Sequence, residues 1–384
     1  MSKKLLLIVC FLLLSCFLSF AEIKDIGAMK KGGKAAITGG ALEILDIQNP
    51  DIIKSKYSQR FKYDSWDNPK LKELRTKYKL DEVIKGGKTE FEQMCLLEDW
   101  VFHAFKKFDH PTKETSNALE ILKMVEDGGS AFCIQYGAVF NSCAYSLGWV
   151  TRIFGMKAIE PGLTEHTNAE IWSNQYRKWI VMDATHNYRL ATAGAPGVYL
   201  SANEAREEYF KNKGKDVVVI AGKENQKYTF ADLPAQRKGA AGYSGFNEKR
   251  THQFALLLFT SDMRLLDNKV DYGNDNFMIN DERTNGFKWH KREIPKDIKE
   301  IYWTLGDAKM QVSTGEKDKL EVSFTTETPN FDTFAVKLDE SKEWQKSGNK
   351  YAWTLHKGKN KLTATAKNKF GVYGPDNFIE LDYR

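Results

Sequence analysis

The sequence predicts an α+β domain followed by a smaller, all-β domain. Apolar residues recur at helical spacing between residues 90 and 147, short strands follow up to residue 183, and regular alternation resumes at residue 298. The 384 residues are 42% hydrophobic and 28% charged, which excludes a disordered chain, a collagen-like chain and a disulfide-stapled mini-protein. The net charge of +6 is spread over the whole chain, so no nucleic-acid partner is expected.

Residues 1–21 are typical of a signal peptide. Lys3 and Lys4 form a basic start and an apolar run follows as far as Ala21, with small residues suited to a cleavage before Glu22. A second interpretation is that Leu13-Leu14-Ser15-Cys16 is a lipobox. The run stays apolar past Cys16, which favours the later cut. We expect a secreted or periplasmic protein, with a lipid anchor at Cys16 as the alternative and the only route to a membrane.

The polar, basic residues 22–89 are expected to form an N-terminal region that packs on the core, with a short helix at 69–78. The α+β domain is predicted to span 90–215, beginning with amphipathic helices at 90–108 and 115–126. Ser130 is a favourable N-cap residue for a third helix, which should run to about residue 147. Strands are predicted at 152–154, 166–172 and 177–183, and a capping box at Ser201-Ala202-Asn203-Glu204 opens another helix.

Residues 216–297 are mixed and are interpreted as a connecting region, with strands at 217–220 and 254–259 and a loop at 239–245. From residue 298 to 384 the chain is predicted to be a small antiparallel β-sandwich of the immunoglobulin-like kind. Its strands are expected at 320–324, 334–338, 351–355, 362–366 and 378–383.

Three cysteines follow the predicted leader, at positions 95, 133 and 143. An odd number in an oxidising compartment leaves at least one thiol unpaired. Cys133 and Cys143 cannot bridge, because ten helical residues separate them by roughly 15 Å. A disulfide between Cys95 and Cys143 would leave Cys133 free, although both also fit the role of small core residues on apolar helical faces.

Cys133 is the candidate nucleophile. With Ser130 as the N-cap it would lie near the third helical position, where free backbone N–H groups and the helix dipole stabilise a thiolate. A thiol in that place is expected to have a lowered pKa.

The expected pairing of two strands makes His166 the candidate base for this thiol. In the strand at 166–172, His166 lies on the same face as Asn168 and Glu170. If residues 173–176 form a four-residue hairpin loop, Asp183 lies directly opposite His166. The carboxylate would then hold the Nδ1–H of His166 while Nε2 faces the thiolate. A zinc site formed by His166, Asp183 and His186 lacks a standard spacing and is disfavoured, and His186 is expected at the surface or in a minor role.

These residues resemble the transglutaminase-like superfamily, whose members have a papain-like fold. The resemblance covers about residues 90–200 and is carried by Gly129-Ser-Ala-Phe-Cys133, Leu147-Gly-Trp-Val-Thr-Arg152, His166-Thr-Asn-Ala-Glu170-Ile-Trp172 and Trp179-Ile-Val-Met-Asp183-Ala-Thr.

The resemblance implies that Cys133 is the nucleophile, His166 the base and Asp183 the orienting acid. Asn168 departs from the family pattern, which usually has an aromatic residue two positions after the histidine. No acidic loop matches the calcium sites of animal transglutaminases, and no cofactor or metal is expected. The Cys133 backbone N–H is one oxyanion donor, and Gln93 or Trp100 could supply another.

Two functions follow from these observations. The first is an exported cysteine hydrolase or acyltransferase that acts on an amide bond of a protein, peptide or glycopeptide through a thioester, more by hydrolysis than by crosslinking. The alternative is a non-catalytic module that presents a docking surface for protein or glycan. The substrate and the oligomeric state are left open by the sequence.

Overall fold

The computed structural model of the chain describes most of the sequence beyond the predicted leader. The described residues are 25–52, 55–160, 165–194, 197–234, 250–270, 276–284, 293–295 and 297–384. The predicted signal peptide at 1–21, with Cys16, and the predicted loop at 239–245 lie outside them.

The α-helices of the described residues lie mainly before the main sheet in the sequence. They are α1 (Pro69–Lys77), α2 (Leu80–Ile84), α3 (Glu90–Ala104), α4 (Ala118–Glu126), α5 (Cys133–Ser146) and α6 (Ala202–Asn212). The helix predicted at 90–108 ends at Ala104, because Phe105 already has an extended backbone. Among the described residues, no helix combines the length and the hydropathy that a membrane-spanning segment requires.

Strands are found at all the positions where alternation predicted them. In chain order they are β1 (Lys34–Ile37), β2 (Gly40–Gln48), β3 (Thr151–Lys157), β4 (His166–Ser173), β5 (Lys178–Asp183), β6 (Tyr188–Thr192), β7 (Val217–Ala221), β8 (Gln226–Tyr228), β9 (Leu256–Thr260), β10 (Asn276–Ile279), β11 (Lys309–Thr314), β12 (Lys319–Thr325), β13 (Phe331–Leu338), β14 (Gln345–Ser347), β15 (Lys350–Thr354), β16 (Gly358–Asn368) and β17 (Asn377–Tyr383).

The main sheet contains eight described strands in the order β10-β9-β3-β4-β5-β6-β7-β8, each antiparallel to its neighbours. Helix α5 lies on this sheet, with Gly137 close to Thr167 and Ile153. From Gln135 to Ser146 every residue of α5 is buried, so this helix is the centre of the α+β unit.

The region at 216–297 is not a connector, as the sequence suggested, because its strands complete both edges of the main sheet. Strand β7 pairs with β6, and β9 pairs with β3. The apolar run Leu256–Phe259 is completely buried, which is what a strand inside a two-sided sheet requires. The α+β unit therefore extends well beyond the predicted boundary at residue 215.

The C-terminal strands form two sheets around a separate hydrophobic cluster. The larger sheet has the order β1-β2-β17-β16-β13-β14 and the smaller one β11-β12-β15. Val322 and Trp353 of the smaller sheet share this cluster with Val336 and Ile379 of the larger one. The two sheets thus enclose one core, while the immunoglobulin-like topology of 298–384 stays a prediction.

The N-terminal region at 22–89 is divided between the two units, which corrects the expectation that it packs as one region on the core. Strand β2 pairs with β17, and its residues Leu42 and Ile44 are buried in the β unit. Without β2, β17 would present an open edge of unpaired backbone groups. In the later part of the region, Leu71 and Leu74 of α1 lie in the core of the α+β unit.

A buried ion pair joins the strands that carry the candidate site. Arg152 of β3 and Glu170 of β4 are direct cross-strand partners, both are fully buried, and their side chains are 2.6 Å apart. The Arg152 guanidinium lies over the rings of Trp179 and Tyr302, at 4.2 and 4.4 Å from their centroids. Glu170 also accepts the backbone N–H of Ala202, which fixes the start of α6 against the sheet.

Replacement of Glu170 by Ala is expected to destabilise the fold strongly. It leaves the Arg152 charge buried without its carboxylate partner, which costs about 3–5 kcal/mol of the free energy of unfolding. Urea denaturation followed by tryptophan fluorescence measures this loss. The exposed pair Lys123–Asp127 supplies the control, because Lys123→Ala should leave the unfolding midpoint unchanged. Equal midpoints for both variants would contradict the role assigned to Arg152 and Glu170.

Candidate active site

Cys133 is the first residue of α5, and not the third as the sequence suggested. Phe132 is the N-cap residue, and its backbone N–H donates to the side chain of Gln135 at 3.0 Å. Ser130 does not cap the helix, because its hydroxyl donates to the carbonyl of His110 at 2.6 Å. Gln135, three residues after the N-cap, was the available sequence signal for the true helix start.

The Cys133 thiol lies against the first residues of β4. The pairing of β4 with β5 reaches only to Ala169 and Met182, which leaves the start of β4 accessible to the N-terminus of α5. The backbone N–H of Thr167 donates to Cys133 Sγ at 3.5 Å. The helix therefore places the sulfur beside the residue that follows His166 in the sequence.

Cys133 is partly exposed, yet the desolvation of its sulfur decides the charge of the thiol. Desolvation raises the pKa of Cys133, and the Thr167 N–H and the charge of Arg250 only partly counteract it. The expected lowered pKa is therefore wrong for the resting structure, because desolvation outweighs these two contributions. Cys95, Cys133 and Cys143 are all free thiols, and Cys95 and Cys143 are buried core residues.

The hairpin that carries His166 and Asp183 has a register two residues away from the predicted one. Trp172 pairs with Trp179 and Ser173 with Lys178, so the loop is 174–177. Arg177 closes this loop with a left-handed backbone, at φ 51°. A shift by two residues keeps every side chain on its face, so His166 and Asp183 are diagonal instead of direct neighbours.

The imidazole of His166 contacts Asp183 through the nitrogen opposite to the predicted one. Nε2 lies 3.1 Å from Asp183 Oδ2, whereas Nδ1 has no hydrogen-bond partner among the described residues. Nδ1 is therefore the nitrogen that can accept the proton of a thiol. Between Cys133 and His166, both within the described part of the chain, no hydrogen bond is formed.

Asp183 is fully buried and receives several donors. Besides His166, its carboxylate accepts the Thr185 N–H at 3.1 Å and Arg250 Nη2 at 3.2 Å, and it contacts His186 Nδ1 at 3.3 Å. Burial alone would raise the pKa of Asp183, but His166 and His186 hold it well below its usual range. The carboxylate is thus ionised at neutral pH.

Sequence reasoning assigned His186 to the surface or to a minor role, and it missed Arg250 altogether. His186 is 1% exposed, not a surface residue, because the turn after Asp183 brings the chain back onto that carboxylate. The spacing Asp-x-x-His was a usable local signal for this contact. Arg250 is 67 residues beyond Asp183 in the sequence, and no local pattern connects the two.

Helix α3 supports the turn between β5 and β6. Asn187 donates to Asp99 at 2.6 Å, and Arg189 pairs with Glu98, with both side chains of that pair fully buried. Burial raises the pKa of Glu98 to about 7. These contacts fix the turn that follows Asp183.

The other expected site residues have contacts elsewhere. Gln93 donates its amide to the Gly87 carbonyl, and Trp100 packs on Tyr78, so neither supports the role of oxyanion donor. Asn168 is 2% exposed and accepts the N–H of Ala169, which makes it a buried residue and not part of an exposed cleft wall.

Three side chains of the site could together ligate a metal ion. The ligand atoms of His166, Asp183 and His186 all lie within 4.8 Å of one another. The Arg250 guanidinium contacts the same Asp183 oxygen that His166 contacts, and its positive charge would repel a divalent cation there. The donor set therefore fits a metal poorly.

A cavity of about 610 Å³ lies at the other end of α5, where Tyr145, Trp303 and Asn330 line it. Tyr145 is twelve residues beyond Cys133, which corresponds to roughly 18 Å along a helix. This cavity is therefore separate from the thiol.

No protein-family model matches the sequence, and no curated protein is significantly similar to it. Among solved structures, a candidate cysteine protease from Cytophaga hutchinsonii is 14% identical with a TM-score of 0.25, over 44% of this chain and only 50% of that one. Red sea bream transglutaminase is 11% identical with a TM-score of 0.25, over 88% of this chain and 77% of the transglutaminase. Similarities this weak do not decide fold or activity.

Proposed function

We propose that the protein is a transglutaminase-like cysteine enzyme that cleaves amide bonds through a thioester. The observation that carries this proposal is the junction of α5 and β4. The thiol of Cys133 accepts the Thr167 N–H, next to His166, whose Nδ1 is unpartnered among the described residues and whose Nε2 contacts Asp183. The proposed nucleophile thus contacts the residue that follows the proposed base in the sequence, and the base contacts the orienting acid.

In the proposed reaction His166 Nδ1 takes the proton of Cys133, and the sulfur attacks the amide carbonyl carbon. The backbone N–H groups of Cys133 and Ile134, which begin α5 and have no intrahelical acceptor, stabilise the oxyanion. The imidazolium then protonates the amine as the C–N bond breaks, which leaves a thioester. Water attacks the thioester with His166 as base, and the acid and the free thiol are released.

An amine in place of that water would give a crosslink. The sequence resemblance favours hydrolysis, because peptidase-type hydrolysis is common among bacterial members of the superfamily. The substrate is proposed to be a protein, peptide or glycopeptide, and the enzyme is proposed to be exported.

Replacement of Cys133 by Ala is expected to abolish turnover and thioester formation, because the other two described thiols, Cys95 and Cys143, are buried in the core. Mass spectrometry of peptide and peptidoglycan digests incubated with each variant measures turnover, and an amide probe that traps the thioester measures the intermediate. Cys143→Ala is the matched control and should keep both, because Cys143 is a buried core residue. Activity retained by Cys133→Ala would refute the proposal.

The same assignment predicts selective thiol labelling at pH 8. Cys133 is partly exposed, whereas burial raises the pKa of Cys95 to about 12 and that of Cys143 further. Iodoacetamide should therefore modify Cys133 at least ~10-fold faster than the other two. His166→Asn should slow the labelling of Cys133 by ~10-fold or more, since the proton acceptor is lost. Peptide mapping by mass spectrometry gives the three rates, and a His166→Asn rate equal to wild type would exclude His166 as the base.

Export makes a separate prediction. Cleavage before Glu22 gives a mature chain that begins at that residue, whereas processing at the lipobox gives a lipid-modified Cys16. Intact mass and N-terminal sequencing of the protein recovered from cells that express the full chain distinguish the two. A chain that retains Met1 would contradict export by either route.

A non-catalytic binding module is the second candidate function. It is favoured by the neutral resting thiol and by the missing hydrogen bond between Cys133 and His166, both described residues. Uniformly slow labelling of all three cysteines, together with no thioester trapping, would select this function.

A further inference from the structure

Arg250 is a buried cation at the centre of the site. It is the first residue of the 3₁₀ helix Arg250–Ala255 and is fully buried. Its Nη1 donates to Gln253 at 2.6 Å, its Nε to the Tyr188 hydroxyl at 3.3 Å, and its Nη2 to Asp183 Oδ2 at 3.2 Å. Three contacts fix the orientation of the guanidinium against the carboxylate.

Arg250 and His166 share one oxygen atom. Asp183 Oδ2 lies 3.1 Å from His166 Nε2 and 3.2 Å from Arg250 Nη2. One carboxylate carries one negative charge, and the permanently charged guanidinium already balances it. An imidazolium at His166 would be a second cation on the same anion, in a place from which water is excluded.

We infer that Arg250 is a positioning residue that keeps His166 neutral in the resting enzyme. Cys133 and His166 then form no thiolate–imidazolium pair at rest, and the proton passes from the thiol to the imidazole only when the sulfur attacks the substrate carbonyl. The inference rests on the proposed function for its catalytic meaning. Its statement about the charge of His166 can be tested without any substrate.

The remaining titratable groups that the structure describes around the site do not alter this balance. They include Cys133, His186, Tyr188 and Glu98. Burial keeps the first three neutral, since it raises the pKa of Cys133 and of Tyr188 and lowers that of His186. Glu98 is paired with Arg189. Burial and Arg250 lower the pKa of His166 to about 3, although Asp183 acts in the opposite direction.

The first experiment is an NMR titration of the ¹⁵N-labelled histidines in the full chain, with His166 assigned by comparison with His166→Asn. In the wild type the His166 ring should stay neutral from pH 8 to pH 4. A wild-type midpoint above pH 4 would overturn the inference, and this outcome does not depend on the folding of any Arg250 variant.

The second experiment uses Arg250→Met, Arg250→Lys and the control Arg206→Met. Loss of the buried charge should raise the His166 midpoint by about one to three units, whereas Lys should keep it low. Arg206 is also buried and pairs with Asp281, so its loss tests for a general effect of removing an arginine. An unchanged midpoint in Arg250→Met, or an equal rise in Arg206→Met, would overturn the inference.

The activity profile separates this inference from the proposed function. A base must be neutral, so the acid limb of kcat/KM should lie below pH 4 in the wild type and should move up by the same shift in Arg250→Met. Wild-type turnover with an unmoved acid limb in a folded Arg250→Met refutes the role of Arg250 alone. Absence of wild-type turnover refutes the proposed function and leaves the histidine titration as an independent result.

Discussion

The site depends on a single buried negative charge. Asp183 has no access to water, so its charge persists only because surrounding donors stabilise it, and two histidines, a backbone amide and Arg250 do so together. Because four different donors share this carboxylate, its negative charge stabilises a positive charge on any one of them only in part. Asp183 therefore holds the ring of His166 in place more strongly than it stabilises a charged form of that ring.

The candidate site combines residues from the hairpin of β4 and β5 with one residue from α5. The hairpin carries His166 and Asp183 on one face, and α5 places Cys133 beside the start of β4, beyond the end of β5. Glu170 lies four residues after His166 in β4, and its ion pair with Arg152 holds β4 against β3. The thiol thus lies where the start of β4 meets the N-terminus of α5.

Local patterns in the sequence were sufficient for the helices and strands that carry the candidate site and for the faces of those strands, but they did not predict β1, β2, β6 or β11. Alternation along 166–183 placed His166 and Asp183 on one face even though the register was wrong by two residues, because the period of a strand is two. The same reasoning could not select the ring nitrogen, because a diagonal pair approaches from a different side than a direct pair. It also misplaced the start of α5, since the hydroxyl of Ser130 is used by His110 and not by the helix.

Local sequence patterns could not predict contacts between distant parts of the chain. Arg250 meets Asp183 across 67 residues, and its sequence neighbours contain no periodic signal for this contact. The pairing of β2 with β17 joins residues 42–48 to 378–383, at nearly opposite ends of the chain. Domain boundaries drawn from changes in composition divided the chain into consecutive segments, and such boundaries cannot represent a sheet built from both ends.

The pairing of β2 with β17 also determines when the protein can finish folding. Synthesis from the N-terminus produces β2 early, yet β17, the strand that covers its edge, follows only after more than 300 further residues. Closing so long a loop is slow, and the apolar side of β2 stays uncovered in the meantime. An exported chain would gain from a holding chaperone until β17 is synthesised, and loss of β17 alone would open the sheet at its centre.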